Sequence, residues 1–423
     1  MTRTIRITTL DNGLRVLSDP MDSVETVSAG IWIEAGSRFE QLPINGVSHF
    51  LEHMTFKGTA RRSAQAIVQE IEDVGGQINA YTSRENTAYY AKALKEDLGL
   101  IVDIIADIVQ NARLDAEELE RERSVILQEI SQSVDTPEDI VFDYFQTAAF
   151  PDQPIGWPVL GSSEGVRAMP RKSIRDYMTR YYTPSRMILS AAGKIDHDHL
   201  VALAENAFPR ASGDVRETVA PPQKSRYQGG EFRQYRDLEQ VQIILGFEGV
   251  SFDDPDYYAA SVFSTLLGGG MSSRLFQEIR EKQALVYSIY SFLTAYDDGG
   301  AFAIHAGTGE EEAQTLMPLI CAEIQKARTF VSAEEIARAR AQLKAGILMA
   351  MESTSARSEQ CARHALIYGR VLDSAEMIAK IDAVDEKAVG RAAERLTSSL
   401  PTLTALGPVS KIESFEKICA RLT

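Results

Sequence analysis

Apolar and polar residues alternate between positions 4 and 18 around Asp11-Asn12-Gly13, which predicts two strands joined by a tight hairpin turn. Val27 to Ile33 predicts another strand, ending in a loop at Gly36-Ser37. Spacings of three and four then take over from about 46 to 58 and from 63 to 74, where Gly75-Gly76 marks a helix end. Ile78 to Leu94 reads as two strands joined near Ser83-Arg84-Glu85-Asn86. Long helices are predicted at 96–111 and 115–134, the second opened by Asp115 with Glu118 three positions on, a capping-box pattern. More helix and a strand near Met187–Ala192 complete this half.

From Pro209 to Gly230 the periodicity disappears among Ala-Ser-Gly-Asp, Pro221-Pro222 and Gly229-Gly230, the signature of a linker. The pattern then restarts. Asp115-Ala-Glu-Glu-Leu119 is echoed by Ser332-Ala-Glu-Glu-Ile336, 217 positions later, and Val27–Ser37 more faintly by Val241–Ser251. The expected organisation is a domain at 1–212, a linker at 213–230 and a homologous domain at 231–423. The expected fold class is α+β, each domain a largely antiparallel sheet with helices packed on one face.

Charge narrows the function. The 423 residues carry 44 basic and 60 acidic side chains, a net charge of −16. A nucleic-acid binder needs the opposite sign along a phosphate-tracking face, so nucleic acid is not an expected partner. A field of this sign attracts basic peptides instead. Cys321, Cys361 and Cys419 match no metal spacing or disulfide framework and are read as small hydrophobes in a reducing compartment. The start, Met1-Thr-Arg-Thr-Ile-Arg-Ile, has neither an apolar run nor a small-residue cleavage site, so no signal peptide is expected. The longest apolar stretch, Leu98 to Val109, is cut by Asp103 and Asp107, so no membrane span is expected either. The expected location is cytoplasmic.

One cluster carries chemistry: His49-Phe50-Leu51-Glu52-His53. In a helix, positions 49, 52 and 53 project from one face. Neutral imidazoles suit zinc, whose catalytic sites take three protein ligands and a water, and an adjacent glutamate is placed to accept that water's proton. His-x-x-Glu-His is the inverzincin signature. A third ligand is expected from another element. The helix opened by Asp115 offers Glu122 and Glu129, two turns apart and facing the same way, one as ligand and the other as support.

The segment Gly46-Val-Ser-His49-Phe-Leu-Glu52-His53-Met-Thr-Phe-Lys57-Gly58-Thr59 resembles the active-site segment of the pitrilysin and insulinase metallopeptidases. It follows the pattern of the β subunit of mitochondrial processing peptidase and its bacterial relatives. The resemblance covers essentially the whole chain. It implies a zinc endopeptidase with one zinc ion per chain, held by His49, His53 and Glu129. Glu52 would be the general base and Glu122 would support the site. It also implies that the strand Ile78-Asn79-Ala80-Tyr81-Thr82 pairs with an extended substrate, through Asn79 and Ala80, consistent with the template offered by an unpaired strand edge. Arg280 and Tyr287, seven apart, correspond to the pair that holds substrate and the tetrahedral intermediate. Asp139 and Asp143 resemble the acidic pair that selects an arginine near the cleavage site, although Asp139 stands where a glutamate is usual.

The second half has lost the metal set. At the same offset Glu122 and Glu129 fall on Ala339 and Gly346, and the region of the histidines reads Leu266-Leu-Gly268-Gly-Gly270-Met271. That glycine run is expected to form a flexible loop close to substrate. The other four histidines, His197, His199, His305 and His364, are expected on the surface or in the core. The expected substrate is a peptide or an unfolded protein segment. The expected assembly is a homodimer, or a heterodimer with an inactive paralogue. A competing expectation is a non-catalytic assembly subunit, since relatives of this fold serve as core proteins of a respiratory complex.

Overall fold

The computed structural model describes residues 4–209 and 220–423, so 213–219 of the expected linker lie outside the described residues. The chain forms two compact units, and each draws on both halves of the sequence. The first comprises Met1–Ser131, Trp157–Gln223 and Met349–Asp373; the second comprises Gln132–Gly156, Lys224–Leu348 and Ser374–Thr423.

In the first unit six strands, β1 (Arg6–Thr9), β2 (Arg15–Pro20), β3 (Thr26–Ile33), β4 (Gln77–Thr82), β5 (Thr87–Leu94) and β6 (Met187–Gly193), lie in the order β1-β2-β6-β3-β5-β4. All neighbours are antiparallel except β2 and β6. The predicted hairpin forms, with Thr9 opposite Arg15 and Gly13 at φ 89° in its turn. The second unit repeats the plan with β7 (Gly230–Tyr235), β8 (Val241–Glu248), β9 (Val286–Ala295), β10 (Gly300–Thr308) and β11 (Thr402–Gly407), in the order β7-β11-β8-β10-β9. Here too one pair, β7 and β11, is parallel and the rest antiparallel. Taken in chain order, β2 to β6 and β7 to β11 have the same connectivity, the architectural counterpart of the sequence repeat.

The α+β class holds, with an addition that explains the strand composition. Val27, Ala29, Ile31 and Ile33 point to the main helical layer, where they pack with Phe50, Ile101 and Ile105. Trp32 points the other way, with Leu17, Ala88 and Ile188, and is covered by Cys361, Ala362 and Ala365 of the helix Thr354–Tyr368. The second sheet is covered on its corresponding face by Ile140, Val141, Phe145 and Ala149 of the helix Pro137–Ala149, against Ile244, Ala301, Ala303 and Leu406. Each unit thus takes one covering helix from the other half of the sequence. All but the first residue of β3 are buried, Ser28 included, as a strand covered on both faces requires.

Polar bonds fix the first of these helices. Asp19, fully buried, takes two bonds from the Arg357 guanidinium, one of them Nε at 2.7 Å. Ser190 and Ser358 exchange hydroxyl-to-carbonyl bonds of 2.8 and 3.0 Å. Cys321 and Cys361 are buried, as expected for small hydrophobes. Among the described residues no helix is long and apolar enough to cross a membrane.

Candidate metal centre

The helix Val47–Thr55 carries the histidine motif. Its buried residues are Val47, Ser48, Phe50, Leu51, Met54 and Thr55, which leaves His49, Glu52 and His53 on the half-buried side. No side chain at the N-cap position closes its first turn, because that position is Gly46, in the left-handed region at φ 94°. A Cβ there would meet the Leu160 carbonyl at 2.7 Å, so glycine is required twice over. Capping comes from Glu40, upstream. One of its oxygens accepts from the Gly46 amide (2.7 Å) and Asn45 Nδ2 (2.8 Å), the other from the Ser48 amide (2.9 Å) and hydroxyl. Burial pushes this carboxyl up to about 7, against the opposing pull of those donors. Sequence reasoning missed Glu40, because it shares no helical spacing with the residues it caps.

The helix Ala116–Val134 supplies the carboxylates. The predicted start holds: Asp115 Oδ1 accepts from the Glu117 and Glu118 amides at 2.8 and 3.2 Å. Glu129 Oε2 lies 3.7 Å from His49 Nε2 and 3.4 Å from His53 Nε2. Ligand atoms of these three residues all fall within 4.8 Å of one another. Ligands about 2.1 Å from a tetrahedral zinc stand about 3.4 Å apart, so the triad fits such an ion with little adjustment. Two imidazoles and a carboxylate are also the donor types zinc takes in catalytic sites.

The imidazoles are prepared differently. His53 Nδ1 is 3.0 Å from Glu122 Oε2, and Lys57 Nζ is 2.7 Å from the other Glu122 oxygen. A proton held on Nδ1 by that carboxylate leaves the Nε2 lone pair facing Glu129. His49 Nδ1 is buried with no hydrogen-bond partner among the described residues, so packing orients this ring. Burial, and secondarily His53, lower the His49 pKa to about 3, which keeps the imidazole neutral and able to ligate.

Glu52 completes the cluster. Burial raises its pKa, while a bond from Thr82 Oγ1 to its Oε2 (2.6 Å) opposes the rise. Thr82 ends β4, the outermost strand of its sheet. Asn79 and Ala80 sit on that strand, paired on one side with Tyr90 and Tyr89 of β5. On the main chain of β4 the Ala80 amide donates to Asn79 Oδ1 at 2.8 Å. The Asn79 side chain thus covers a strand amide.

The structure thus assembles His49, Glu52, His53, Glu122 and Glu129 in one unit, with Asn79 and Ala80 on the same sheet. The remaining candidates belong to the second unit. Asp139 and Asp143 lie one helical turn apart on the helix Pro137–Ala149. The Arg280 guanidinium stands 4.5 Å from the Phe276 ring centroid and 5.8 Å from that of Tyr287, whose side chain is largely exposed. One reading of the second half changes. Gly268 ends the helix Tyr257–Gly268, and a Cβ on it would meet the Ser291 amide at 2.4 Å. This glycine permits a close approach to β9 rather than loop flexibility. Ala339 and Gly346 both fall inside the helix Ala333–Ala350, with no carboxylate at either position.

Comparison with known proteins finds relatives over nearly the whole chain. The family model described as Insulinase (Peptidase family M16) matches residues 15–163, and the one described as Peptidase M16 inactive domain matches 168–343. A probable mitochondrial-processing peptidase subunit beta from Arabidopsis thaliana is 37% identical, over 98% of this chain and 81% of its own. A zinc protease of Mycobacterium bovis is 39% identical, over 95% of this chain and 93% of its own. Among solved structures, a protease from Helicobacter pylori has a TM-score of 0.90 at 23% identity, covering 96% of this chain and 100% of its own. A chain of Complex III2 from Candida albicans has a TM-score of 0.86 at 21% identity, covering 99% of each; both likenesses are of fold. The two family models follow one another along most of the chain, and the chain belongs to the insulinase family of peptidases, M16.

Proposed function

We propose that the chain is a zinc-dependent endopeptidase that cleaves peptides or unfolded protein segments, with one zinc ion held by His49, His53 and Glu129. The observation that carries this reading is the convergence of those three side chains beside Glu52. Bound zinc supplies Lewis-acid polarisation of the scissile carbonyl and acidifies a water. Glu52, its charge disfavoured by burial, takes the proton from the attacking water and delivers it to the leaving nitrogen. Glu122 holds His53 in the ligating tautomer. β4 offers a strand edge for the substrate main chain at Asn79 and Ala80, where a substrate carbonyl would take over the Ala80 amide from Asn79 Oδ1, giving affinity with little sequence selectivity. Arg280 and Tyr287 keep the substrate-holding role that the family resemblance gives them.

Asp139 and Asp143 carry the proposed preference for basic residues near the cut, supported by their spacing on one helix face and by the net charge of −16. The family resemblance supports a dimer, either a homodimer or a pairing with an inactive paralogue, and the reading includes a cytoplasmic location. The competing reading, a non-catalytic assembly subunit, finds support in the fold shared with a Complex III2 chain. The complete ligand set favours the peptidase.

The test is digestion of a diverse peptide mixture with and without a chelator, reading cut sites by mass spectrometry, beside a Glu52→Gln variant. Chelator-sensitive cleavage, lost in Glu52→Gln with zinc retained, is expected. Full activity in a metal-free preparation overturns the reading, and an even spread of residues before the cut removes the basic preference.

A further inference from the structure

The bond from Thr82 Oγ1 to Glu52 Oε2, at 2.6 Å, joins two elements otherwise assigned separate tasks. Glu52 belongs to the motif helix and Thr82 to the outer strand, three positions after Asn79. Along β4, Ile78, Ala80 and Thr82 share a face by strand alternation, and Ile78 and Ala80 pack on the core beneath the motif helix. The Thr82 hydroxyl therefore comes to Glu52 by the pleat of the strand. The end of that strand is pinned: Thr82 pairs with Thr87, whose own hydroxyl donates to the Ala35 carbonyl at 2.8 Å. Thr82 is a β-branched residue with restricted χ1 rotation, so its hydroxyl is a stiff reference point. Glu52, by contrast, is a long side chain that would otherwise sample several rotamers.

From this geometry we propose that Thr82 is a positioning residue for the reaction. Its hydroxyl fixes one oxygen of Glu52 and leaves the other to meet the attacking water. The strand that pairs with the substrate main chain thereby also sets the orientation of the base. Because a base misplaced by about 1 Å loses about a hundredfold in rate, a single bond of this kind has a large effect on turnover. The inference rests on the peptidase reading above, and it is specific to turnover: Thr82 is not among the metal ligands, and its side chain does not make the strand's main-chain bonds.

The experiment compares Thr82→Val, which keeps shape and strand propensity but removes the donor, with Thr82→Ser, which keeps the donor. Both are measured for zinc content, kcat and KM on a quenched-fluorescence peptide, and for the Glu52 rotamer in zinc-loaded crystals. The expected result is a kcat lowered about ten- to a hundredfold in Thr82→Val, the loss of one hydrogen bond to a charged group. KM and zinc content stay within about twofold. Glu52 takes other rotamers in Thr82→Val, and Thr82→Ser restores both kcat and rotamer. An unchanged kcat with an unchanged rotamer overturns the proposal. So does a rise in KM alone, which would make Thr82 only a substrate contact. If the unaltered enzyme hydrolyses nothing while Glu52 is displaced in Thr82→Val, the peptidase reading fails and the Thr82–Glu52 link stands.

Discussion

Lys57 Nζ lies 2.7 Å from Glu122 Oε1, while the other oxygen of that carboxylate reaches His53 Nδ1 at 3.0 Å. Lys57 lies four residues after His53, just past the end of the motif helix, where the chain returns a cation to the carboxylate bonded to His53. The carboxylate is nearly buried, and Lys57 is the cation paired with it. Replacing Lys57 with Met should therefore weaken zinc binding about 10- to 100-fold, the usual cost of losing an outer partner of a metal ligand. Competition against a chromophoric chelator measures this, and an unchanged affinity would assign Lys57 to the surface alone.

Metal removal should lower the stability of the first unit. A ligand that binds only the folded state at about 100 times its Kd stabilises it by about 2.7 kcal/mol. Calorimetry with and without chelator should move one transition and leave unmoved any transition belonging to the second unit. A trace insensitive to chelator counts against a zinc site at the triad.

Glu40 gives a pH dependence with a definite sign. Its folded pKa, about 7, lies above the ordinary carboxyl value of 4.5 because burial outweighs the donors around it. Between these values the folded chain binds more protons at this site than the unfolded chain, so its contribution is full below the unfolded pKa and is lost as pH rises through about 7. Urea denaturation of wild type and Glu40→Gln at pH 5 and pH 8 should show the larger decline in wild type. Equal declines would mean that the four donors win and Glu40 is ionised throughout.

Buried Asp19, paired with half-buried Arg357, fastens a helix to the back of the first sheet. Replacing Arg357 with Leu removes both guanidinium bonds from a fully buried carboxylate and should cost about 3–5 kcal/mol. Changing both residues, Asp19→Leu with Arg357→Leu, should recover much of that loss. A single variant as stable as wild type would show that the pair adds nothing.

What the sequence made legible was local. His49, Glu52 and His53 could be placed on one face because the helix period is fixed, and Glu129 because two turns separate it from Glu122. The hairpin at Gly13 and the start of the helix after Asp115 follow from turn and cap chemistry within a few residues. Glu40 and Thr82 stayed hidden for the opposite reason. Each meets the motif helix through a loop or a neighbouring strand, where no spacing rule ties the partners. The covering helices are further still from local pattern: Ser358 bonds Ser190 across 168 positions and Arg357 bonds Asp19 across 338. Their only trace was the run Ile31-Trp32-Ile33, which places large apolar side chains on both faces of one strand.

The exchanged helix also sets a clock on synthesis. The strands of the first sheet are complete once Gly193 has been made, yet Cys361, Ala362 and Ala365, which cover Trp32 and Ile188, lie far downstream. Elongation at about 5–20 residues per second separates the two by roughly 9–35 s. For that interval the nascent chain carries a finished sheet with one apolar face bare, the kind of surface that chaperones bind. The ribosome must deliver the helix Thr354–Tyr368 before this face of the first sheet has its cover.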